Sequence, residues 1–337
     1  MKFLLSYLII IAFPWLGYPA ILKLWPKSIR PHNTVSAPKL RWMIITAGRG
    51  TDVGEHLAYM DWLCSKYEGP ADAVYVDDGT DHPGIGDLLR QEATNQHLTN
   101  LSVISMNEHV GKEAALESGF AYAANELHDT YDAVLFLDVD VKVAAHGEPD
   151  TVLRKLSIVL FNTPGVAGLA FSDQVHGGGP YLSIEMMIRD LENNTGGLIG
   201  AGGMAVAVLA DSIPDNGFDA PLDLTMVRHA KAMNRSFLHG GGAFTARYAL
   251  AKVGHYPRMV RTAMRGMQGV RFVPGAWGWN AKLFCHKHLR WASSILLTLC
   301  PLAWVMYPFL LPHFAITHAF ILTLMGKKVT KWEQTKR

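Results

Sequence analysis

Apolar and polar positions alternate in blocks along the first half of the chain. Trp42, Met43, Ile44, Ile45 and Thr46 form a short run of strand-forming residues, and residues 53–66 place Val53, Leu57, Met60 and Leu63 at helical spacing. Ala73, Val74, Tyr75 and Val76 make a second strand run that stops at Asp77, Asp78 and Gly79. Residues 101–105 predict a third strand, residues 112–127 an alanine-rich helix, and residues 133–137 a fourth strand stopping at Asp138, Val139 and Asp140. Strands alternating with helices predict a parallel α/β sheet, in which ligands bind beyond the carboxyl ends of the strands. Both acidic clusters fall at such ends. The second half is less regular. Helical runs at 181–192 and 222–233 are separated by glycine turns at 177–179, 200–203 and 240–242, each of which either turns the chain or lets backbone approach a ligand.

Apolar stretches bracket this pattern. Residues 3–22 carry no charge, and about 20 such residues match the hydrocarbon core of a bilayer. They predict a transmembrane anchor over residues 1–22, followed by a linker over 23–40. A cleaved signal peptide is the alternative, disfavoured by Pro14, Pro19 and the lack of a small-residue cleavage site before Lys23. Lys23, Lys27 and Arg30 outnumber Lys2, so the positive-inside rule places the next domain, residues 41–282, in the cytosol. Residues 293–325 contain no Asp, Glu, Lys or Arg and are interrupted by Pro301, Pro308 and Pro312. That predicts a membrane hairpin or re-entrant segment over 293–326, returning a basic tail, 327–337, to the cytosolic side. A buried amphipathic pair packed on the domain is the alternative. Between domain and hairpin, residues 283–292 mix His286, Lys287 and Arg290 with Leu283, Phe284 and Trp291, as an interfacial helix does.

Composition narrows the function. A chain of 337 residues supports one sizeable core, and a formal charge of +2 offers no broad basic field for nucleic acid. Cys64, Cys285 and Cys300 match neither a disulfide framework nor a zinc motif, and read as small apolar residues in a reducing compartment.

The acidic clusters carry the chemistry. In Asp138-Val139-Asp140 the strand pleat directs both carboxylates to one side, and two hard oxygen ligands suit Mg²⁺ or Mn²⁺ together with diphosphate oxygens. Asp77 or Asp78 could accept hydrogen bonds from a base or ribose, or could cap the turn at Gly79. Gly111 and Lys112 open a helix whose first cation could face a diphosphate, without a complete Walker sequence.

These residues, taken in order as Val76 to Thr80, Gly111-Lys112 with Ala115 and Gly119, Leu137 to Asp140, and His288 to Trp291, resemble the ordered motifs of family 2 glycosyltransferases. The resemblance is to the membrane-bound branch that includes hyaluronan, chitin and cellulose synthases and ceramide glucosyltransferase. It implies a GT-A (Rossmann-like) α/β fold, a nucleotide-sugar donor with a UDP-sugar favoured, a divalent Mg²⁺ or Mn²⁺, and inversion at the anomeric carbon. It further implies that Asp77 or Asp78 holds the base, Lys112 lies near the diphosphate, and Asp138 and Asp140 bind metal and donor. Arg290 would meet the diphosphate and Trp291 would border the acceptor, with Lys287 at the first position of that signature. The acidic pair that supplies the general base in this family is absent. Asp223 stands in the most similar context, with Asp219 as substitute, and both remain equally readable as helix-start carboxylates. Arg49 follows the first strand in place of the usual segment and could add a phosphate or base contact.

The expected activity is inverting transfer of a sugar to a lipid or membrane-associated glycan. The alternatives are a processive polysaccharide synthase, a catalytically degenerate membrane-tethered binding protein and a nucleotidyltransferase.

Overall fold

Residues 42–45 alternate between two faces that are both apolar, which selects a strand buried on both sides. Trp42 and Ile44 pack in one core cluster, Met43 and Ile45 in the other. The computed structural model describes residues 7, 9–26, 38–49, 53–79, 85–127, 130–175, 180–202, 204–248, 255–300 and 310–327. Strands β1 (Trp42–Gly48), β2 (Ala71–Asp77), β3 (Leu101–Ser105) and β4 (Ala133–Asp138) are parallel and stand in the order β3-β2-β1-β4. They form the parallel α/β sheet that the sequence predicts.

The sheet then departs from that pattern. Strand β8 (Ala205–Leu209) runs antiparallel to both β4 and β6 (Val166–Ala170), and β9 (Ser236–His239) pairs parallel with β6 to complete seven strands. A second sheet of three strands has β10 (Phe244–Tyr248) between β5 (Lys142–Ala145) and β7 (Ser172–Val175).

Helices cover both faces of the large sheet. On one lie α2 (Gly54–Lys66), α3 (Ile85–Asn95) and α5 (Val152–Asn162), through Leu57, Met60, Leu89, Leu153 and Leu156. On the other lie α4 (Lys112–Glu126), α7 (Leu222–Ala232) and α9 (Trp277–Leu283), through Ala115, Leu116, Met226 and Trp279. Gly119 explains the closeness of α4: a Cβ there would meet Val76 at 2.8 Å and Ile45 at 2.9 Å.

The terminal segments pack on the domain, which the membrane expectation did not include. A π-helical turn (Phe13–Gly17) leads into α1 (Tyr18–Leu24), where Tyr18 and Leu22 pack on Ile188 of α6 (Pro180–Asn194). Trp15 Nε1 donates to Ser293 Oγ at 3.2 Å, and Tyr7 Oη donates to the carbonyl of Leu296. The N-terminal segment is therefore docked on α10 (Leu289–Thr298) rather than detached from the domain. Among the described residues no helix is long and apolar enough to cross a membrane, so nothing in them supports the anchor expected at 1–22. Residues 1–6 and 8 lie outside the described residues, as do most of the linker and the basic tail beyond Lys327.

The C-terminal pair also differs from an antiparallel hairpin. Ser294 contacts His313 (3.0 Å), and Thr298 contacts Thr317 (3.0 Å). Both partners advance together along the chain, so α10 and α11 (Leu311–Leu324) run in the same sense. Helix α11 packs along α8 (His255–Gly269) through Val260, Met264, Ala315 and Ala319.

Candidate active site

The register of the parallel strands brings the two acidic clusters to one edge. Gly48 pairs with Asp77 and Ala47 with Asp138, so β1 ends between them. Their surroundings are opposite in kind. Asp78 is buried and its carboxylate is filled by protein donors: Oδ1 accepts from the N–H of Val110 (2.8 Å) and Gly111 (3.1 Å), and Oδ2 faces His109 Nδ1 (2.8 Å). It ties the end of β2 to the loop that enters α4. Two glycines make that tie possible. Gly79 has φ +62°, and a Cβ there would lie 2.1 Å from the carbonyl carbon of Glu108, while Gly111 has φ 99°. Asp77 is also buried, at the end of β2, and Arg49 follows directly on Gly48 at the end of β1.

Lys112, the first residue of α4, is aimed by this loop at Asp138 Oδ1, with which it forms an ion pair. Burial raises the proton affinity of Asp138 above the ordinary carboxylate value, and Lys112 works against that rise. Asp140 is exposed and lies close enough to add to the rise, and Arg258 of α8 opposes it. Two carboxylates in mutual electrostatic reach, at an open strand end, fit a hard divalent cation. Among the described residues no group of three or more His, Cys, Asp or Glu is placed to hold a metal. An ion here would take two protein carboxylates, from Asp138 and Asp140, and fill its remaining positions from phosphate and water.

Asp223 lies in the first turn of α7 and comes within the electrostatic field of this centre. Burial raises its proton affinity above the ordinary value, opposed in order by Lys287, Arg189, Lys112 and Arg265. Lys112 thus connects Asp138 with Asp223. Asp219 is placed differently. It is paired with Arg228 and lies 3.4 Å from Arg271, with its side chain 43% exposed, so it holds a surface loop rather than facing Asp138.

The C-terminal signature is placed otherwise than expected. A second π-helical turn (Phe284–His288) joins α9 to α10. Arg290 is buried against Glu185, and its guanidinium lies 4.5 Å from the Trp15 ring. His286 sits between Glu192 (2.7 Å) and Glu185 (3.2 Å), and Tyr18 Oη donates to Glu192 at 2.6 Å. Although burial opposes its charge, Arg290 and then His286 hold Glu185 well below the ordinary carboxylate range. Lys282 donates to the carbonyls of Thr195 and Gly197 beyond the end of α6, and burial lowers its pKa to about 8. Trp291 is half-buried, with a Cβ on Gly266 of α8 placed 3.6 Å from its ring.

Sequence reasoning missed Arg258 and Arg265. They are seven positions apart on α8, opposite the face that carries Val260 and Met264, and Arg265 pairs with Glu113. The spacing Arg258, Arg261, Arg265 was the available signal, since such positions share one helix face. Of the three cysteines, Cys64 is buried, Cys285 and Cys300 are half-buried, and all are free thiols.

No family model matches the chain. No curated protein matches its sequence. Solved structures do match. The mannosyltransferase PcManGT from Pyrobaculum calidifontis, in complex with GDP-Man and Mn²⁺, has a TM-score of 0.71 at 16% identity, covering 96% of this chain and 99% of that one. S. aureus TarS 1-349 in complex with UDP-GlcNAc is similar at a TM-score of 0.47, 10% identity and coverage of 86% and 93%. Glucosyl-3-phosphoglycerate synthase from Mycobacterium tuberculosis, in complex with phosphoglyceric acid, gives 0.43, 12%, 74% and 80%. Along nearly its full length the chain therefore shares the GT-A-type α/β fold of a mannosyltransferase that binds a nucleotide-sugar.

Proposed function

We propose that the chain transfers a sugar from a nucleotide-sugar to a hydroxyl of a lipid or membrane-associated glycan, with inversion. The observation that carries this reading is the placement of Asp138, Lys112 and Asp223 around one strand-end centre, in a fold made for that chemistry. Asp223 is the base. Its raised proton affinity suits it to take the proton of an acceptor hydroxyl as that oxygen attacks the anomeric carbon. The nucleoside diphosphate leaves from the opposite face, into the field of Lys112 and Arg258. When bound, Mg²⁺ or Mn²⁺ on Asp138 and Asp140 would neutralise charge on that diphosphate. Asp77 and Arg49 are the residues left to meet the base, because Asp78 is occupied. The family resemblance favours uridine in the donor, and the similar mannosyltransferase carries GDP-Man, so guanosine is the second base to test.

Membrane association is part of the proposal. Leu16, Leu24, Leu299, Ile321 and Leu324 are between 50% and 87% exposed, on the terminal segments. Such a surface supports contact with lipid, with the domain on the cytosolic side. The test is a screen of UDP- and GDP-sugars on detergent-solubilised full-length protein with Mn²⁺, reading released nucleoside diphosphate. Turnover of one donor class is expected. Absence of both hydrolysis and transfer across the screen would contradict the reading in favour of a degenerate binding protein.

A further inference from the structure

The cations around the centre are mostly committed. Lys112 pairs with Asp138, Arg265 with Glu113, and Arg189 and Arg290 both with Glu185. Lys287 is different. Among the described residues its ammonium makes no hydrogen bond and no ion pair, although burial lowers its proton affinity. Glu185 and Asp223 act on it only through their fields. A Cβ built on Gly200 would lie 3.8 Å from its Cε and 4.0 Å from its Nζ. That glycine opens the loop running to Met204, whose carbonyl accepts the N–H of Asp138 at 2.9 Å. Lys287 therefore reaches the region between Asp223 and the strand end that carries Asp138.

Its placement follows from the helix that bears it. In a regular α-helix, positions 287 and 290 share a face. Here Lys287 lies inside a π-helical turn, a widened turn that redirects side chains and recurs at functional sites. Arg290 is directed to Glu185 and Trp15, and Lys287 to Gly200. His286, clamped between Glu185 and Glu192, fixes the rotation of the turn.

Lys287 is half-buried, and its ammonium carries three donors that a phosphate oxygen can accept. We propose that Lys287 binds a phosphate oxygen of a substrate in this cleft, in place of the diphosphate contact that the sequence assigns to Arg290. The proposal rests on the sugar-transfer reading for its choice of ligand. The phosphate belongs either to the donor diphosphate or to an acceptor that carries one.

The test is a set of direct binding titrations on detergent-solubilised full-length protein, comparing wild type, Lys287→Met and Lys287→Arg. The probes are GDP and UDP with Mn²⁺, guanosine and uridine as phosphate-free controls, and dodecyl phosphate against dodecanol. The expected result is at least a tenfold loss of nucleoside diphosphate affinity in Lys287→Met, unchanged nucleoside binding, and recovery in Lys287→Arg. A loss confined to dodecyl phosphate places the phosphate on the acceptor and equally supports the proposal. Wild-type affinity of Lys287→Met for every phosphate probe overturns it. If wild type binds neither GDP nor UDP yet loses dodecyl phosphate on mutation, the sugar-transfer reading fails and the phosphate contact stands.

Discussion

The ends of β2 and β4 look alike in sequence, each an apolar run closing on two carboxylates, and the structure uses them in opposite ways. At the end of β2, Asp78 spends both oxygens on Val110, Gly111 and His109. At the end of β4, Asp138 is paired with the Lys112 ammonium and has an exposed neighbour in Asp140. A carboxylate saturated by backbone N–H groups builds a loop. One opposed by a flexible ammonium at an open edge is available to exchange that partner for a ligand. The two clusters are also coupled, because the loop that Asp78 holds is the loop that aims Lys112.

That comparison can be broken in several ways, and the largest expected effect is on turnover. Asp138→Ala should lower metal-dependent turnover by about 10³-fold or more, while its melting temperature stays near that of wild type. Steady-state kinetics beside a thermal melt check both halves.

Asp223→Asn should cost about 10²- to 10⁴-fold in turnover, the range of a lost general base. Its pH profile carries a further sign. Since burial holds the Asp223 carboxyl above the ordinary value, wild-type turnover should fall as pH drops through that raised pKa. A raised carboxyl stabilises the fold below its unfolded pKa and loses that contribution as pH rises through the folded one. Asp223→Asn should therefore melt higher than wild type at neutral pH, and an unchanged or lower melting temperature would count against the assignment.

Asp78→Ala reverses the pattern of Asp138→Ala. It strands the buried N–H groups of Val110 and Gly111, and should cost about 2–4 kcal/mol in stability. Chemical denaturation measures that loss. Nucleotide affinity should fall along with it, because Lys112 loses its aim. The smallest effect belongs to Asp219→Asn, which disturbs a half-exposed pair with Arg228 and should leave turnover within about twofold and stability within about 1 kcal/mol. A large kinetic loss there would move the base from Asp223 to Asp219.

Much of the first half of the chain was readable from sequence because its signals are local. Strand runs buried on both faces, a strand-to-helix glycine at Gly111 and carboxylates at strand ends are each written within a few residues. The direction of β8 was not, since β8 reads as any apolar run and its antiparallel course is set by pairing with β4 and β6. Nor was the fate of Arg290. Its partners Glu185 and Trp15 lie 105 and 275 positions away, and the π-helical turn that redirects the helix leaves no spacing signature. The apolar N-terminus was legible as apolar, but the polar atoms that dock it, Tyr18 Oη and Trp15 Nε1, gain meaning only beside Glu192 and Ser293.

The central claim is that Asp138 and Asp140 form the open, metal-dependent donor centre while Asp78 only shapes it. It is tested most directly by titrating GDP and UDP into solubilised full-length protein at increasing Mn²⁺, for wild type, Asp138→Ala and Asp78→Asn. In wild type, nucleotide affinity should rise with Mn²⁺. In Asp138→Ala that dependence should vanish, and in Asp78→Asn it should persist at weaker overall affinity. Mn²⁺-dependent binding that survives in Asp138→Ala but disappears in Asp78→Asn would contradict the account.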